Sequence, residues 1–174
     1  MFAKRRALNR KTNFMVVELK TNGSTPKFDP VNENGLSEVA FSIEIAADWR
    51  RVFHAITLPE YIEAWLQVPD ADRIECHSDT RSLTRFRIDL FSVNMPRRSI
   101  YGSCSLSRFD TIIYQWERTH VDHRIQSTVK IRFNGGPRQC MLHLKHSGLV
   151  NEEERDWHSV LWERSFHTLR KVIR

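Results

Sequence analysis

From residue 73 to residue 147 the chain alternates apolar and polar side chains in short runs, and beyond residue 151 the apolar spacing changes to that of a helix. Successive side chains of a strand point to opposite faces, so each alternating run predicts a strand with one apolar and one polar face. Phe86, Ile88 and Leu90 alternate with Arg85, Arg87 and Asp89. A further strand is expected from Ser99 to Phe109, after which Ile112, Tyr114 and Trp116 share one face. Val129, Ile131 and Phe133 alternate with Lys130 and Arg132, and Cys140, Leu142 and Leu144 complete the last run. Turn-forming residues separate these runs: Asn94-Met95-Pro96-Arg97 reads as a hairpin loop, Asp110-Thr111 as a turn, and Asn134-Gly135-Gly136-Pro137 as the densest turn signal of the chain. An antiparallel sheet with one apolar face has to cover that face. The segment after residue 151 is the one element long enough to do so.

That segment carries helix signals at both ends. Asn151, with Glu154 three residues on, resembles a capping box. Glu152, Glu153 and Glu154 stand where the helix dipole favours negative charge, and Arg170, Lys171 and Arg174 where it favours positive charge. Leu161, Trp162, Phe166, Leu169 and Ile173 form its apolar stripe. Ahead of the sheet run, Val39, Phe41, Ile43 and Ile45 alternate with Ala40, Ser42 and Glu44, a half-buried strand. Asp48 offers an N-cap to a short helix with Trp49, Val52, Phe53 and Ile56 on its apolar side. Pro59 opens a second, with Tyr61, Ile62, Trp65 and Leu66.

The chain of 174 residues suits one domain with a real core. No apolar run approaches the ~20 residues that cross a bilayer, and residues 1–11 lack the apolar segment of a signal peptide. Residues 1–37 read as a basic, flexible tail dense in chain breakers, with a short strand possible from Phe14 to Leu19, and residues 38–174 as the domain. Lys4, Arg5, Arg6, Arg10 and Lys11 hold most of the formal net charge of +6, so the domain itself is close to neutral. Such a tail fits either contact with nucleic acid or acidic lipid, or a solvated end. The domain carries no strong nucleic-acid signal. Cys76, Cys104 and Cys140 are odd in number and widely spaced, which argues against a disulfide framework and a zinc site and for a reducing, cytoplasmic setting. Cys104 and Cys140 fall in strands and read as small buried residues.

Several segments together resemble a known family. Phe41-Ser42-Ile43-Glu44-Ile45, then Val52-Phe53-His54-Ala55-Ile56, then Leu58-Pro59-Glu60-Tyr61 through Trp65, are similar to the opening strand and helices of the SRPBCC or START-like superfamily. Ile113-Tyr114-Gln115-Trp116 resembles its central strand, Leu144-Lys145-His146-Ser147-Gly148 its last strand, and His158 with Trp162 through Leu169 its final helix. Within it the chain looks like the branch related to the activator of the Hsp90 chaperone ATPase. The resemblance spans about residues 38–173 and implies an α+β helix-grip fold: a curved antiparallel sheet wrapped around a long C-terminal helix, with two short helices after the first strand. The family also implies a spread of roles, among them ligand carriage, cyclisation and chaperone activation in the stress response. Where the family often has a glycine before the helix tryptophan this chain has Leu161, which would narrow a cavity.

A curved sheet closing on one helix leaves space at its wide end, where a small apolar or aromatic ligand fits. The residues expected to line that space are Trp65, Phe86, Tyr114, Trp116, His146, Trp162 and Phe166, with His146 as the polar contact that orients the ligand. Ordinary core packing accounts for the same tryptophans, and both readings stand at this point. His120, Asp122 and His123 read as a surface loop, not a metal site. Arg85, Arg87, Lys130 and Arg132 form a basic stripe on the outer face, balanced by Asp89 and Glu117. No phosphate loop, GxSxG elbow or HExxH helix occurs, so no catalytic residue, metal or cofactor is expected. A chaperone-type protein interaction module is the first alternative function, and a cyclase-like enzyme the second.

Overall fold

The structure is a computed structural model that describes residues 37–78, 84–108, 110–120 and 123–173. The tail expected over residues 1–37 and its possible strand from Phe14 to Leu19 lie outside these residues, Ser37 apart. Strand β1 (Ser37–Ile45) leads into helices α1 (Trp49–Thr57) and α2 (Pro59–Trp65). Strands β2 (Arg73–Ser78), β3 (Arg85–Ser92), β4 (Met95–Arg108), β5 (Thr111–His120), β6 (His123–Gly135) and β7 (Cys140–Leu149) follow, and helix α3 (Glu152–Val172) closes the chain. All seven strands form one antiparallel sheet in the order β1-β7-β6-β5-β4-β3-β2. This is the expected helix-grip architecture.

That order places β1 and β2 at opposite edges. The chain between them has to cross the width of the sheet, and α1 and α2 are that crossing. Asp48 caps α1, its carboxylate accepting from the Arg50 amide at 2.7 Å. Leu58 then takes an extended conformation because Pro59 follows it, which ends α1 and starts α2. The exposed edge of β2 is blunted by α2: the Cys76 amide donates to Glu63 Oε1 at 2.6 Å.

Helix α3 packs mainly on β1, β7 and α2. Leu161, Trp162, Phe166 and Leu169 are buried as expected, with Phe166 edge-on to Phe41 at 6.1 Å. The helix lies mainly against one half of the concave face, and Phe86 and Ile88 on the other half line an open space together with Trp162.

Four local expectations change. The β3–β4 connection is a tight turn at Val93-Asn94, and Met95, Pro96 and Arg97 belong to β4. Tyr61 is 46% exposed, so the apolar side of α2 is Ile62 and Trp65. Cys104 is only half-buried. The Asn151 side chain accepts from the Glu154 amide at 2.8 Å, but the Glu154 carboxylate turns to Arg118 across the core, so the capping box has one arm.

Candidate functional site

The uncovered half of the concave face, with α1 and α2 bridging above it and α3 behind, encloses a cavity of about 600 Å³. A volume of that size falls in the range of ligand pockets. Trp65, Phe86, Tyr114, Trp116 and Trp162 line it, five of the seven side chains expected from the sequence. Phe53, Ile62, Cys76, Cys104 and Leu106 line it as well. Their inward parity or helical spacing was visible in the sequence, but not the gap they face. Leu106, 63% exposed, stands where the cavity meets solvent.

Three polar atoms on the aromatic walls have partners within the protein. Trp65 Nε1 donates to the Ala55 carbonyl at 2.7 Å. Tyr114 donates its hydroxyl to the Ile56 carbonyl at 2.8 Å. Trp162 Nε1 donates to His146 Nδ1 at 3.0 Å. These three rings therefore offer the cavity their faces and edges.

His146 and Phe166 are not among the lining residues. His146 has no exposed surface, and both its ring nitrogens are used within the core. Nδ1 accepts from Trp162, so the proton sits on Nε2, which donates to Ser127 Oγ at 2.8 Å. Burial, then the neighbouring His158 and Arg118, hold its pKa well below the ordinary histidine value. His146 thus reaches the cavity only through the rings of Trp116 and Trp162. Phe166 lies behind Trp162 at 5.9 Å. Leu161 is fully buried and outside the lining, so it does not narrow the space.

Behind the Trp116–Trp162 pair (5.4 Å) lies a buried polar cluster. The His146 and His158 rings meet edge to face at 4.3 Å. His158 Nδ1 donates to the Glu154 carbonyl at 2.7 Å. Burial pushes its pKa down to about 4, against the pull of that bond, and the Arg118 charge adds to the depression. Arg118 pairs with Glu154 and lies 4.5 Å over the Trp157 ring.

Chemistry of the nucleophilic kind has little support. Burial, then the negative Glu63 and Asp89, push the Cys76 thiol up to about 12. Burial also raises Cys104 and, well above its usual value, Tyr114. These groups are neutral at pH 7, and a neutral thiol is a poor nucleophile.

The outer face holds a feature that alternation could not reveal. Asp89 sits among the outward residues of β3 yet has 0% exposure. Its Oδ2 takes Arg97 at 2.5 Å, Arg87 at 3.1 Å and His77 at 3.1 Å, while Ser99 donates to Oδ1 at 2.6 Å. Burial pushes this carboxyl up, but the bonds from Ser99 and Arg97 and the charges of Arg87 and Arg97 outweigh it and hold the pKa low. Among the described residues, Glu75, His77 and Asp89 bring three ligand atoms within 4.8 Å of one another. Asp89 already holds two guanidinium groups and Glu75 pairs with Arg73, so the group is an ion-pair network. Arg85, Lys130 and Arg132 are exposed, as the basic stripe requires, and Arg132 pairs with Asp110 at 3.5 Å. Asp122, and the side chains of His120 and His123, lie outside the described residues.

Residues 46–174 match the model of the family described as "Activator of Hsp90 ATPase homolog 1-like protein". The chain belongs to this family. No curated protein matches it at the same standard. Among solved structures, a Chromobacterium violaceum protein superposes with a TM-score of 0.63 at 15% identity, over 78% of this chain and 96% of the other. A START superfamily protein from Mycobacterium smegmatis gives 0.60 at 12% identity, again over 78% and 96%. The AHSA1 protein of Silicibacter pomeroyi gives 0.60 at 16% identity over the same shares. At these identities the likeness establishes the fold. No described helix of this family member is long and apolar enough to cross a membrane.

Proposed function

We propose that this protein binds a small apolar or aromatic molecule in the cavity between the sheet and its helices. The observation that carries this is a void of about 600 Å³ walled by aromatic rings, among which Trp65, Tyr114 and Trp162 have their polar atoms bonded within the protein. Burying apolar surface there contributes about 25 cal/mol per Å². Trp65, Phe86, Tyr114, Trp116 and Trp162 make the contacts, and the three free cysteines fit a reducing, cytoplasmic setting. The test is tryptophan fluorescence titrated with N-phenyl-1-naphthylamine and with flavonoid-like and lipid-like compounds. Saturable quenching, weakened in a Trp116→Ala variant that keeps its cooperative melt, supports the pocket. A panel that perturbs no tryptophan rejects it.

Membership of the Hsp90-ATPase-activator family favours a second reading, in which the domain docks on a chaperone. Stimulation of an Hsp90-type ATPase by the purified chain, undiminished by a saturating cavity ligand, would support that function over the first.

A further inference from the structure

Gly102 lies in β4 between two residues of the cavity wall, Phe86 and Trp116. Across the sheet it stands in a row that runs Ser78, Phe86, Gly102, Trp116, Ser127. Directly opposed residues of an antiparallel sheet share a face, and here Phe86 and Trp116 both line the cavity. Two large rings therefore flank a position with no side chain.

Phe86 fills that position. A Cβ placed on Gly102 would come within 2.5 Å of Phe86 Cζ and 2.6 Å of its Cε1. The ring consequently lies along the sheet over Gly102, and it meets Tyr114 edge-on at 5.6 Å with the planes at 83°. The same Cβ would come within 2.0 Å of the Gln115 carbonyl oxygen, a backbone atom of the next strand. Any other residue at 102 would have to lift the ring and shift the β4–β5 pairing as well. Ser78, opposite Phe86, and Thr84 also line the cavity. Truncating the ring would thus lengthen the space towards the β2–β3 edge of the sheet.

We propose that Phe86 is the side chain that sets how large a ligand the cavity admits, and that Gly102 is the positioning residue that lets its ring lie flat. This rests on the ligand-binding reading above. The ring is a wall held by packing alone, so its size translates directly into ligand length. A guest's apolar chain ends against Phe86.

The test displaces N-phenyl-1-naphthylamine with n-alkanols of increasing length and records where affinity stops rising. In Phe86→Ala the cut-off moves to longer alkanols, and affinity beyond the wild-type cut-off rises about fourfold for each methylene that is newly buried. In Phe86→Trp it moves to shorter ones. Gly102→Ala, if it folds, also shortens the cut-off, and adding Phe86→Ala restores length; a merely structural role for Gly102 would leave the cut-off unmoved. A Phe86→Ala protein with a cooperative melt and the wild-type cut-off overturns the assignment alone. If the wild-type protein binds neither the probe nor any alkanol, the ligand reading fails and the assignment fails with it.

Discussion

Trp162 donates its indole N–H to Nδ1 of His146 across 3.0 Å, in a region from which solvent is excluded. One side of Trp162 lines the cavity while its polar atom is held from behind. The bond also fixes the histidine tautomer, since Nδ1 must accept and Nε2 is left to donate to Ser127. Replacing His146 with Leu would orphan both the indole N–H and the Ser127 hydroxyl. Each buried unpaired group costs about 1–3 kcal/mol. Urea unfolding of His146→Leu should show a loss of at least about 2 kcal/mol, and an unchanged midpoint would contradict this geometry.

Trp162 is also the largest fully buried side chain of α3. Its truncation to Ala removes contacts with Trp116 and Phe166 and leaves a hole beside an existing cavity. A loss of about 3–5 kcal/mol is expected. A melt indistinguishable from wild type would mean that α3 does not pack as described.

The buried histidine pair makes stability depend on pH in a definite direction. In the unfolded chain His158 takes up a proton near 6.5, whereas in the folded protein it does so only near 4. As pH falls through that window the unfolded state binds more protons, so stability is full above about 6.5 and declines towards 4. For His158 the loss is on the order of 3 kcal/mol, and His146 adds to it in the same direction. Denaturant midpoints measured across this range should fall steadily, and a His158→Gln variant should flatten the slope. A flat wild-type profile would be the contrary result.

Asp89 titrates with the same sign, in a more acidic window. Its folded pKa is lowered, so its contribution is present above the unfolded value of about 3.9 and is lost as pH falls below it. Asp89→Asn removes the anchor shared by Arg87, Arg97 and His77. Those partners are about half exposed and can rehydrate, so the expected cost at pH 7 is modest, about 1–2 kcal/mol. The difference between wild type and variant should shrink in acid, and a gap that persists at pH 2 would count against the charge network.

Cys76 and Cys104 line the cavity as neutral thiols. Alkylation by iodoacetamide at pH 7 should be slower than for a free thiol, and slower again when the cavity is occupied. Labelling of both at the rate of a model peptide would argue against a buried cavity wall.

The alternation over residues 73–147 and the stripe Leu161, Trp162, Phe166, Leu169 determined the sheet, its inward face and the helix that covers part of it, because these periods follow from backbone geometry alone. Parity likewise placed Phe86, Tyr114 and Trp116 on the inner face, and the proline after Leu58 ended the first helix. Parity could not say that α3 lies mainly against the β1–β7 half, that His146 spends both nitrogens inside the core, or that outward Asp89 is buried beneath arginines. Nor could it show the Phe86 ring resting on Gly102. Each of these depends on how far side chains reach between strands and helices distant in sequence. Register and helix placement, which only the assembled sheet fixes, decide which partner lies within that reach.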